Sequence, residues 1–209
     1  MRNDYKAEVT LYIVDDEMEA RDSMVGLFGT GCGLRVQAFS SGEEFLQRVN
    51  VQKPDCVLLD RRMDGGMSGL QVHEALIAKS SPMVVLFLSG HGDIPTAMDA
   101  RNNGAFDWLV KGMDTAKLQS KVVAAMKEAE VRVVHHQQRL QVVARWDTLS
   151  PRPKEAARLI RKGWASRLVA DEMKIGVRVA ERYRSDVFEI LWVNNPTELD
   201  RLMRDYDIQ

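Results

Sequence analysis

The sequence has only two cysteines, Cys32 and Cys56, among its 209 residues. Two cysteines without paired spacing exclude a disulfide framework and a cysteine metal site, and the apolar run around Cys56 predicts a buried structural thiol. No stretch approaches the roughly 20 apolar residues of a membrane span. The first six residues lack the apolar core of a signal peptide. We therefore expect a protein of the reducing cytoplasm without a membrane partner.

A strong charge of either sign is also absent, because 29 basic and 30 acidic residues leave a formal net charge of −1. This balance excludes a histone-like binder and an acidic tail, so any nucleic-acid binding must depend on local charge. Hydrophobic residues make up 45% of the chain and charged residues 28%. That mixture is typical of globular proteins, and the length suits one large or two small domains.

Short apolar runs alternate with helical patterns in the first part of the chain. Four runs and a weaker one predict strands at Val9–Val14, Leu34–Phe39, Asp55–Leu59, Met83–Leu88 and Phe106–Val110. Helical patterns lie between them, at Ala20–Phe28, Gly42–Val49, Leu70–Ala78 and Ile94–Asn102. Near-continuous apolar strands are typical of parallel sheets buried on both faces. The pattern predicts an α/β fold, a doubly wound parallel sheet of five strands.

The second part of the chain contains only helical patterns. From Thr115 to about Trp146, apolar residues recur at helical intervals without Gly or Pro: Leu118, Val122, Ala125, Ala129, Val133, Leu140 and Val143. This helix could pair with a second copy or act as a solvated connector. Ser150 is a predicted N-cap before Pro151, and the patterns Lys154–Lys162, Ser166–Met173, Val177–Leu191 and Thr197–Tyr206 follow. We predict a domain at 1–127, a helical linker at 128–146 and a small all-α domain at 147–209.

Polar side chains follow the apolar strands where each strand ends: Asp15, Asp16, Asp60, Ser89 and Lys111. In an open parallel sheet these ends meet at one edge, where ligands bind. Three carboxylates there repel one another and need a cation, and oxygen ligands with open positions suit Mg²⁺. A carboxylate can attack phosphorus, and an ammonium group and a hydroxyl can stabilise the transferred phosphoryl group. The alternative is that strand-end carboxylates only cap the following helices.

These motifs resemble those of response regulator receiver domains, and they are most similar to the FixJ type. The resemblance covers nearly all of Glu8–Ala125 and is carried by Ile13–Glu17, Leu58–Met63, Met67–Gly69, Ser89–Pro95 and Gly104–Lys111. It implies that Asp60 is a phosphoacceptor and that Asp15, Asp16, Asp60 and the backbone carbonyl of Arg62 hold Mg²⁺. It further implies that Lys111 contacts the phosphoryl group, that Ser89 and Trp108 form a switch pair, and that His91 has only a surface-loop role.

Three features depart from that family. Gly112 replaces the usual Pro after the Lys, which puts the geometry of this loop in doubt. The segment Asp64-Gly65-Gly66 makes the loop after Asp60 one residue longer, and two adjacent glycines predict flexibility. Trp108 is bulkier than the usual Tyr or Phe. Each departure could weaken or bias the switch without removing the site.

The stretch Leu149–Leu199 resembles the LuxR/NarL-type helix-turn-helix, with framework positions at Gly163, Val169, Ala170 and Ile175. Every fourth residue of the third helix is predicted to face the core: Val179, Tyr183, Val187 and Leu191. By resemblance, Glu181, Arg182 and Ser185 read DNA bases, while Lys174, Arg178 and Arg184 contact phosphates. The alternative is a helical interaction domain with a solvated charged face.

The sequence therefore predicts a regulator phosphorylated on Asp60 by a sensor histidine kinase. It would control transcription by binding double-stranded DNA, with a homodimer on activation. One rival hypothesis is a regulator that works through protein contacts, with an unphosphorylated receiver or a helix-turn-helix that does not bind DNA. A second is an enzyme such as a Mg²⁺-dependent phosphohydrolase. We predict no enzyme beyond phosphoacceptor and autophosphatase chemistry, because the sequence offers no separate substrate pocket or catalytic motif.

Overall fold

A computed structural model describes residues 9–90 and 94–208 of the chain. The strands in this part are β1 (Thr10–Val14), β2 (Arg35–Phe39), β3 (Cys56–Asp60), β4 (Val84–Ser89) and β5 (Asp107–Val110). The α-helices are α1 (Met18–Val25), α2 (Gly42–Arg48), α3 (Gly69–Ala78), α4 (Ile94–Asn102), α5 (Thr115–Thr148), α6 (Pro151–Ile160), α7 (Ser166–Met173), α8 (Val177–Leu191) and α9 (Pro196–Asp205). A π-helical turn at Gly26–Thr30 continues α1. His91, with its predicted loop role, lies outside the described residues.

The five strands form one parallel sheet in the order β2-β1-β3-β4-β5. The predicted strands and the doubly wound parallel fold are therefore confirmed. Asp60 is opposite Leu88 of β4, and Ser89 is opposite Val110 of β5. This register brings the polar strand ends to the same edge of the sheet.

Each face of the sheet is covered by its own hydrophobic core, because successive side chains of a strand point to opposite faces. On one face, Ile13, Leu58 and Leu86 pack with Val122 and Ala129 of α5. On the other face, residues such as Val14, Leu59 and Phe87 pack with residues of α2 and α3, such as Phe45 and Val72. Cys56 is fully buried in the first core, as predicted, and burial raises the pKa of its thiol.

The chain divides into two compact units, Met1–His135 and His136–Gln209. The helix α5 continues through this boundary, so the predicted limits at 127 and 146 stay a prediction. Within the second unit, Trp146 of α5 packs with α6 to α9 around a separate core. Ser150 is the N-cap residue of α6 and Pro151 lies in its first turn, as predicted. Leu140, by contrast, is 54% exposed and belongs to none of the three cores.

The buried stripe of α8 differs in part from the predicted one. Val187 and Leu191 are buried, but Ala180 takes the core position, and Val179 and Tyr183 are only half-buried. An α-helix has about 3.6 residues per turn, so a strict four-residue spacing drifts by about 40° per step. Ala180 therefore lies closer to the direction of Leu191 than Val179 does. In the described part of the chain, no helix is long and apolar enough to cross a bilayer.

Candidate functional site

A pocket of about 240 Å³ lies at the carboxyl edge of the sheet. The residues that line it come from the ends of β1, β3, β4 and β5: Asp16, Glu17, Asp60, Arg61, Arg62, Asp64, Ser89, Gly90 and Lys111. Asp15 is almost fully buried and lies next to these residues, where its carboxylate contacts Lys111. The parallel strands thus bring together all five of the polar strand-end residues that the sequence singled out.

One carboxylate oxygen from each of Asp15, Asp16 and Asp60 lies within 4.8 Å of the others. Asp15 is 2% exposed and Asp60 is 7% exposed, so water screens their mutual repulsion poorly. Three oxygen donors with an open pocket beside them fit the preference of Mg²⁺ for oxygen ligands and retained waters. Arg62 lines the same pocket, and the role of its backbone carbonyl stays a prediction.

Lys111 supplies a positive charge to two of these carboxylates. Its Nζ lies 3.0 Å from Oδ2 of Asp15 and 3.2 Å from Oδ1 of Asp60. Burial alone would lower the pKa of Lys111, but its contacts with Asp15 and Asp60 outweigh this effect and the pKa is raised. The ammonium group therefore stays charged at neutral pH.

The pKa of the Asp60 carboxyl is raised above its ordinary value. Burial is the largest cause, and the negative charges of Asp15 and Asp16 add to it, while Lys111 acts in the opposite direction. The favourable contacts of Lys111 thus do not fully offset the effect of burial on the Asp60 carboxyl. A divalent cation would favour the ionised carboxylate, the form that can act as a nucleophile.

The backbone after β1 is held by a residue that the sequence reasoning missed. One guanidinium nitrogen of Arg21 donates to the carbonyl of Asp15 at 2.7 Å and to the carbonyl of Asp16 at 3.1 Å. The N–H of Glu17 donates to Oδ1 of Asp15 at 2.9 Å. These bonds fix the direction in which the two carboxylates leave the strand. The signal available in the sequence was an Arg one turn into the helix that follows the acidic pair.

Two of the departures from the family, Gly112 and the loop after Asp60, contain glycines with a positive φ. Gly112 has a φ of +86°, in the left-handed region that favours glycine, and the described residues contain no cis peptide bond. The backbone N–H of Lys111 donates to the carbonyl of Ser89 at 2.7 Å, which anchors this loop to β4. Gly65 also has a positive φ, of +77°. The loop after Asp60 makes two hydrogen bonds to other elements, from the N–H of Asp64 to Asp16 and from the N–H of Met67 to Glu43. Its predicted flexibility stays a prediction.

Ser89 is buried at the end of β4, and Trp108 lies on the neighbouring strand β5. The Trp108 ring packs against Phe87, with 5.0 Å between the ring centroids. The indole Nε1 is buried and has no hydrogen-bond acceptor among the described residues. The two residues of the predicted switch pair thus belong to the same corner of the sheet, and their role in switching stays a prediction.

Five of the six predicted DNA contacts lie on the exposed surface of the second unit: Lys174, Arg178, Glu181, Arg182 and Ser185. Lys174 ends α7 in a left-handed conformation, and the other four lie on α8. Arg184 differs, because its guanidinium group is half-buried and donates to the carbonyl of Trp164 and to Oγ of Ser166, the latter at 3.1 Å. These bonds give Arg184 a packing role, and its predicted phosphate contact stays a prediction.

Comparison with known proteins agrees with this geometry. The response regulator receiver domain matches residues 11–123. The chain is 31% identical to the transcriptional regulatory protein FixJ of Bradyrhizobium diazoefficiens, over 92% of this chain and 93% of that protein. It is 33% identical to the C4-dicarboxylate transport transcriptional regulatory protein DctR of Rhodobacter capsulatus, over 92% of this chain and 98% of that protein.

Two solved structures are similar over almost the whole chain. The response regulator StyR has a TM-score of 0.72 at 26% identity, covering 96% of this chain and all of that one. Full-length FixJ from B. japonicum has a TM-score of 0.56 at 30% identity, covering 97% of this chain and 98% of that one. Both units of the chain therefore have counterparts in a single solved protein.

Proposed function

Because this chain belongs to the response regulators that carry a receiver domain, we propose that it is phosphorylated on Asp60 and thereby controls transcription. A sensor histidine kinase would supply the phosphoryl group, and the helices of the second unit would bind double-stranded DNA in the cytoplasm. The observation that carries the proposal is the position of Asp60, which contacts the ammonium group of Lys111 and clusters with the carboxylates of Asp15 and Asp16. Relatives named as transcriptional regulatory proteins support the output.

The proposed transfer begins when a carboxylate oxygen of Asp60 attacks the phosphorus of a phosphohistidine. The oxygen–phosphorus bond forms, the phosphorus–nitrogen bond breaks, and the imidazole leaves with the electron pair and takes up a proton. Lys111 stabilises the charge on the transferred group, and the hydroxyl of Ser89 donates to one of its oxygens. Water later attacks the acyl phosphate, which releases inorganic phosphate and restores the Asp60 carboxylate.

Mg²⁺ would be held by Asp15, Asp16, Asp60 and the backbone carbonyl of Arg62. When bound, it supplies positive charge that neutralises the carboxylates and the transferring phosphoryl group. Lys111 also neutralises part of this negative charge, since its Nζ contacts both Asp15 and Asp60.

The proposed response to phosphorylation uses Ser89 and Trp108. The Ser89 hydroxyl turns towards the phosphoryl oxygen, and the Trp108 ring moves inward behind it. The Trp108 ring packs against Phe87 in the structure, so this contact would change as the ring moves. A change at β5 would alter the surface of the receiver and favour a homodimer on activation.

The proposed DNA interface uses the exposed surface of α8. Glu181, Arg182 and Ser185 would reach base edges, and Lys174 and Arg178 would contact phosphates. All five side chains are exposed, as such contacts require. Arg184 would instead fix α8 against the preceding segment through Trp164 and Ser166.

The first test is the intact mass of the purified protein after incubation with acetyl phosphate and Mg²⁺. We expect one added phosphoryl group in the wild type and none in Asp60→Ala. Asp64→Ala is the matched control, because it removes another carboxylate of the same pocket and should keep the adduct. An adduct that persists in Asp60→Ala would contradict the assignment.

The second test addresses the output. A gel shift with genomic fragments should show binding that weakens steeply as salt is raised, because phosphate contacts release counterions. Binding of the phosphorylated protein should be tighter than that of Asp60→Ala. No binding at low salt would favour the rival function, a regulator that acts through protein contacts.

A further inference from the structure

The loop between Asp60 and α3 contains Asp64-Gly65-Gly66, the segment that by resemblance makes this loop one residue longer than usual. It ends at Ser68, whose side chain and the side chain of Gln71 cap α3 reciprocally. Inside the loop, the N–H of Asp64 donates to Oδ2 of Asp16 at 2.9 Å. A backbone group of the inserted segment thus contacts one of the three clustered carboxylates directly.

Glu43, in the first turn of α2, holds the other end of the insertion. Its Oε1 accepts the N–H of Met67 at 2.7 Å. Its carboxylate also lies against Gly66, because a Cβ built on that residue would be 2.9 Å from Oε2 and 3.0 Å from Oε1. Gly66 therefore allows Glu43 to approach the backbone closely, and the loop is fixed at this point by a residue 24 positions away in sequence.

The hydrogen bonds to Glu43 favour its charged form. A bond from its own backbone N–H and the bond from Met67 hold the pKa of Glu43 below its ordinary value. A charged acceptor makes a stronger hydrogen bond than a neutral one. The carboxylate is therefore well suited to hold the loop, and it is a separate group from the acidic cluster.

Only Gly65 and Gly66 separate the Asp64 amide from Met67. When Met67 is fixed by Glu43, these two residues have little freedom to move Asp64 away from Asp16. Without that anchor, two glycines would leave the Asp64 amide free to drift. The path from Glu43 to Asp16 is thus two hydrogen bonds joined by a four-residue segment.

We propose that Glu43 is a positioning residue that clamps the long loop and thereby orients Asp16 for the divalent cation. This inference rests on the proposed function, since it assumes that Asp16 is a metal ligand. Partners that orient metal ligands typically change metal affinity by about 10- to 100-fold when they are removed. The clamp compensates for the inserted residue, which would otherwise loosen one side of the site.

The experiment measures the Mg²⁺ dissociation constant of the full chain by titration calorimetry. Glu43→Ala should weaken Mg²⁺ binding about tenfold, and Glu43→Gln should weaken it less, because the amide oxygen still accepts a hydrogen bond. Glu44→Ala is the matched control. It removes a carboxylate from the same helical turn, but Glu44 contacts Ser40 and Arg48 and not the loop. The Glu44→Ala variant should bind Mg²⁺ with the same affinity as the wild type.

A second variant and a second readout keep the test independent of folding defects. Gly66→Ala should weaken Mg²⁺ binding as well, because its Cβ would displace the Glu43 carboxylate. Amide hydrogen exchange without metal should be faster at Met67 and Asp64 in Glu43→Ala, while β1 and β3 keep their protection. A general loss of stability would accelerate exchange throughout the sheet.

The outcomes separate this inference from the proposed function. If the wild type binds Mg²⁺ and Glu43→Ala binds it equally tightly, the clamp is wrong and the proposed function stands. If Glu44→Ala weakens binding as much as Glu43→Ala, the effect is general charge and the clamp is again wrong. If the wild type neither binds Mg²⁺ nor forms the Asp60 adduct, both proposals fail.

Discussion

Lys111 reaches across the end of the sheet to place its Nζ 3.2 Å from Oδ1 of Asp60. Its backbone N–H is fixed to the carbonyl of Ser89, so the side chain leaves β5 in a defined direction. The residue thus joins the last two strands to the carboxylate at the centre of the site. Because its charge is close to the position of the transferred group, it should affect the rate of phosphorylation more than the stability of the fold.

We predict that Lys111→Met slows phosphorylation of Asp60 by acetyl phosphate about 100-fold, because a preorganised charge is lost from the transition state. Lys121→Met is the control, since Lys121 also pairs with a carboxylate, that of Asp107, but away from the pocket. The measurement is the initial rate of adduct formation by intact mass. Equal rates for the two variants would show that Lys111 does not stabilise the transferred group.

Asp60→Asn should raise the thermal unfolding midpoint at pH 7 in metal-free buffer. The raised pKa of Asp60 means that the folded state binds its proton more tightly than the unfolded state does. Stability from this group is therefore present at low pH and is lost as the pH rises through the folded pKa. Asn imitates the protonated form, so its advantage should be full at pH 7 and should vanish as the solution is acidified.

Excess Mg²⁺ should reverse this order, because it binds the protein that retains the third carboxylate more tightly and therefore stabilises it more than the variant. Thermal unfolding of both proteins with and without Mg²⁺, at pH 7 and at pH 5, measures the direction of the stability difference under each condition. If Asp60→Asn is less stable than the wild type without metal at pH 7, the Asp60 carboxylate is already compensated and the need for a second cation disappears.

Much of the site could be predicted because apolar strands end in polar residues. Asp60 and Ser89 are the last residues of β3 and β4, and in a parallel sheet this placement alone brings them together. The contacts of Glu43 and Arg21 could not be predicted in the same way. They depend on the path of loops and on which backbone groups those loops leave without a partner, which no periodicity encodes.

In the second unit, helical periodicity predicts which residues are exposed, but it does not predict which groups a long side chain contacts. Arg178, Glu181 and Arg182 are exposed on α8, as their predicted contacts with DNA require. Arg184 is predicted to contact a phosphate, but in the structure its guanidinium group donates to the carbonyl of Trp164. An Arg side chain has a long apolar stem and several hydrogen-bond donors. Its guanidinium group can therefore fold back and donate to a nearby backbone carbonyl instead of pointing into solvent.

Gly69→Ala should destabilise the receiver by about 1–3 kcal/mol, the range of overpacking in a well-packed region. A Cβ at this position would be 2.2 Å from the backbone carbonyl oxygen of Asp60, which cannot move without shifting the strand end. The adduct at Asp60 should also form more slowly. Gly26→Ala is the control, because a Cβ there meets nothing within 4 Å. Urea unfolding of both variants provides the comparison, and equal stabilities would contradict the close approach of Gly69 to Asp60.

Arg182→Ala and Lys174→Ala should weaken DNA binding in different ways. Loss of a base contact should relax sequence preference at one position by about 1–3 kcal/mol, whereas loss of a phosphate contact should weaken all sequences and lower the salt slope by about 1. Arg201→Ala is the control, since Arg201 is exposed on α9 and pairs with Asp205. Binding curves on specific and scrambled fragments at several salt concentrations distinguish the cases. Identical salt slopes for all three variants would contradict the proposed interface.

Trp108→Phe should change stability by less than about 1 kcal/mol, although it removes half of a bicyclic ring. The buried Nε1 has no acceptor among the described residues, and an unsatisfied donor costs about 1–3 kcal/mol. Phe removes that cost and keeps a ring against Phe87. The lost packing area of the indole is therefore offset by the removal of the unsatisfied donor. Trp108→Ala removes the whole ring together with its contact with Phe87, and it should cost about 3 kcal/mol or more. Urea unfolding followed by circular dichroism, with the receiver transition fitted separately, measures the difference. If Trp108→Phe were as unstable as Trp108→Ala, the buried indole N–H would not carry the expected cost.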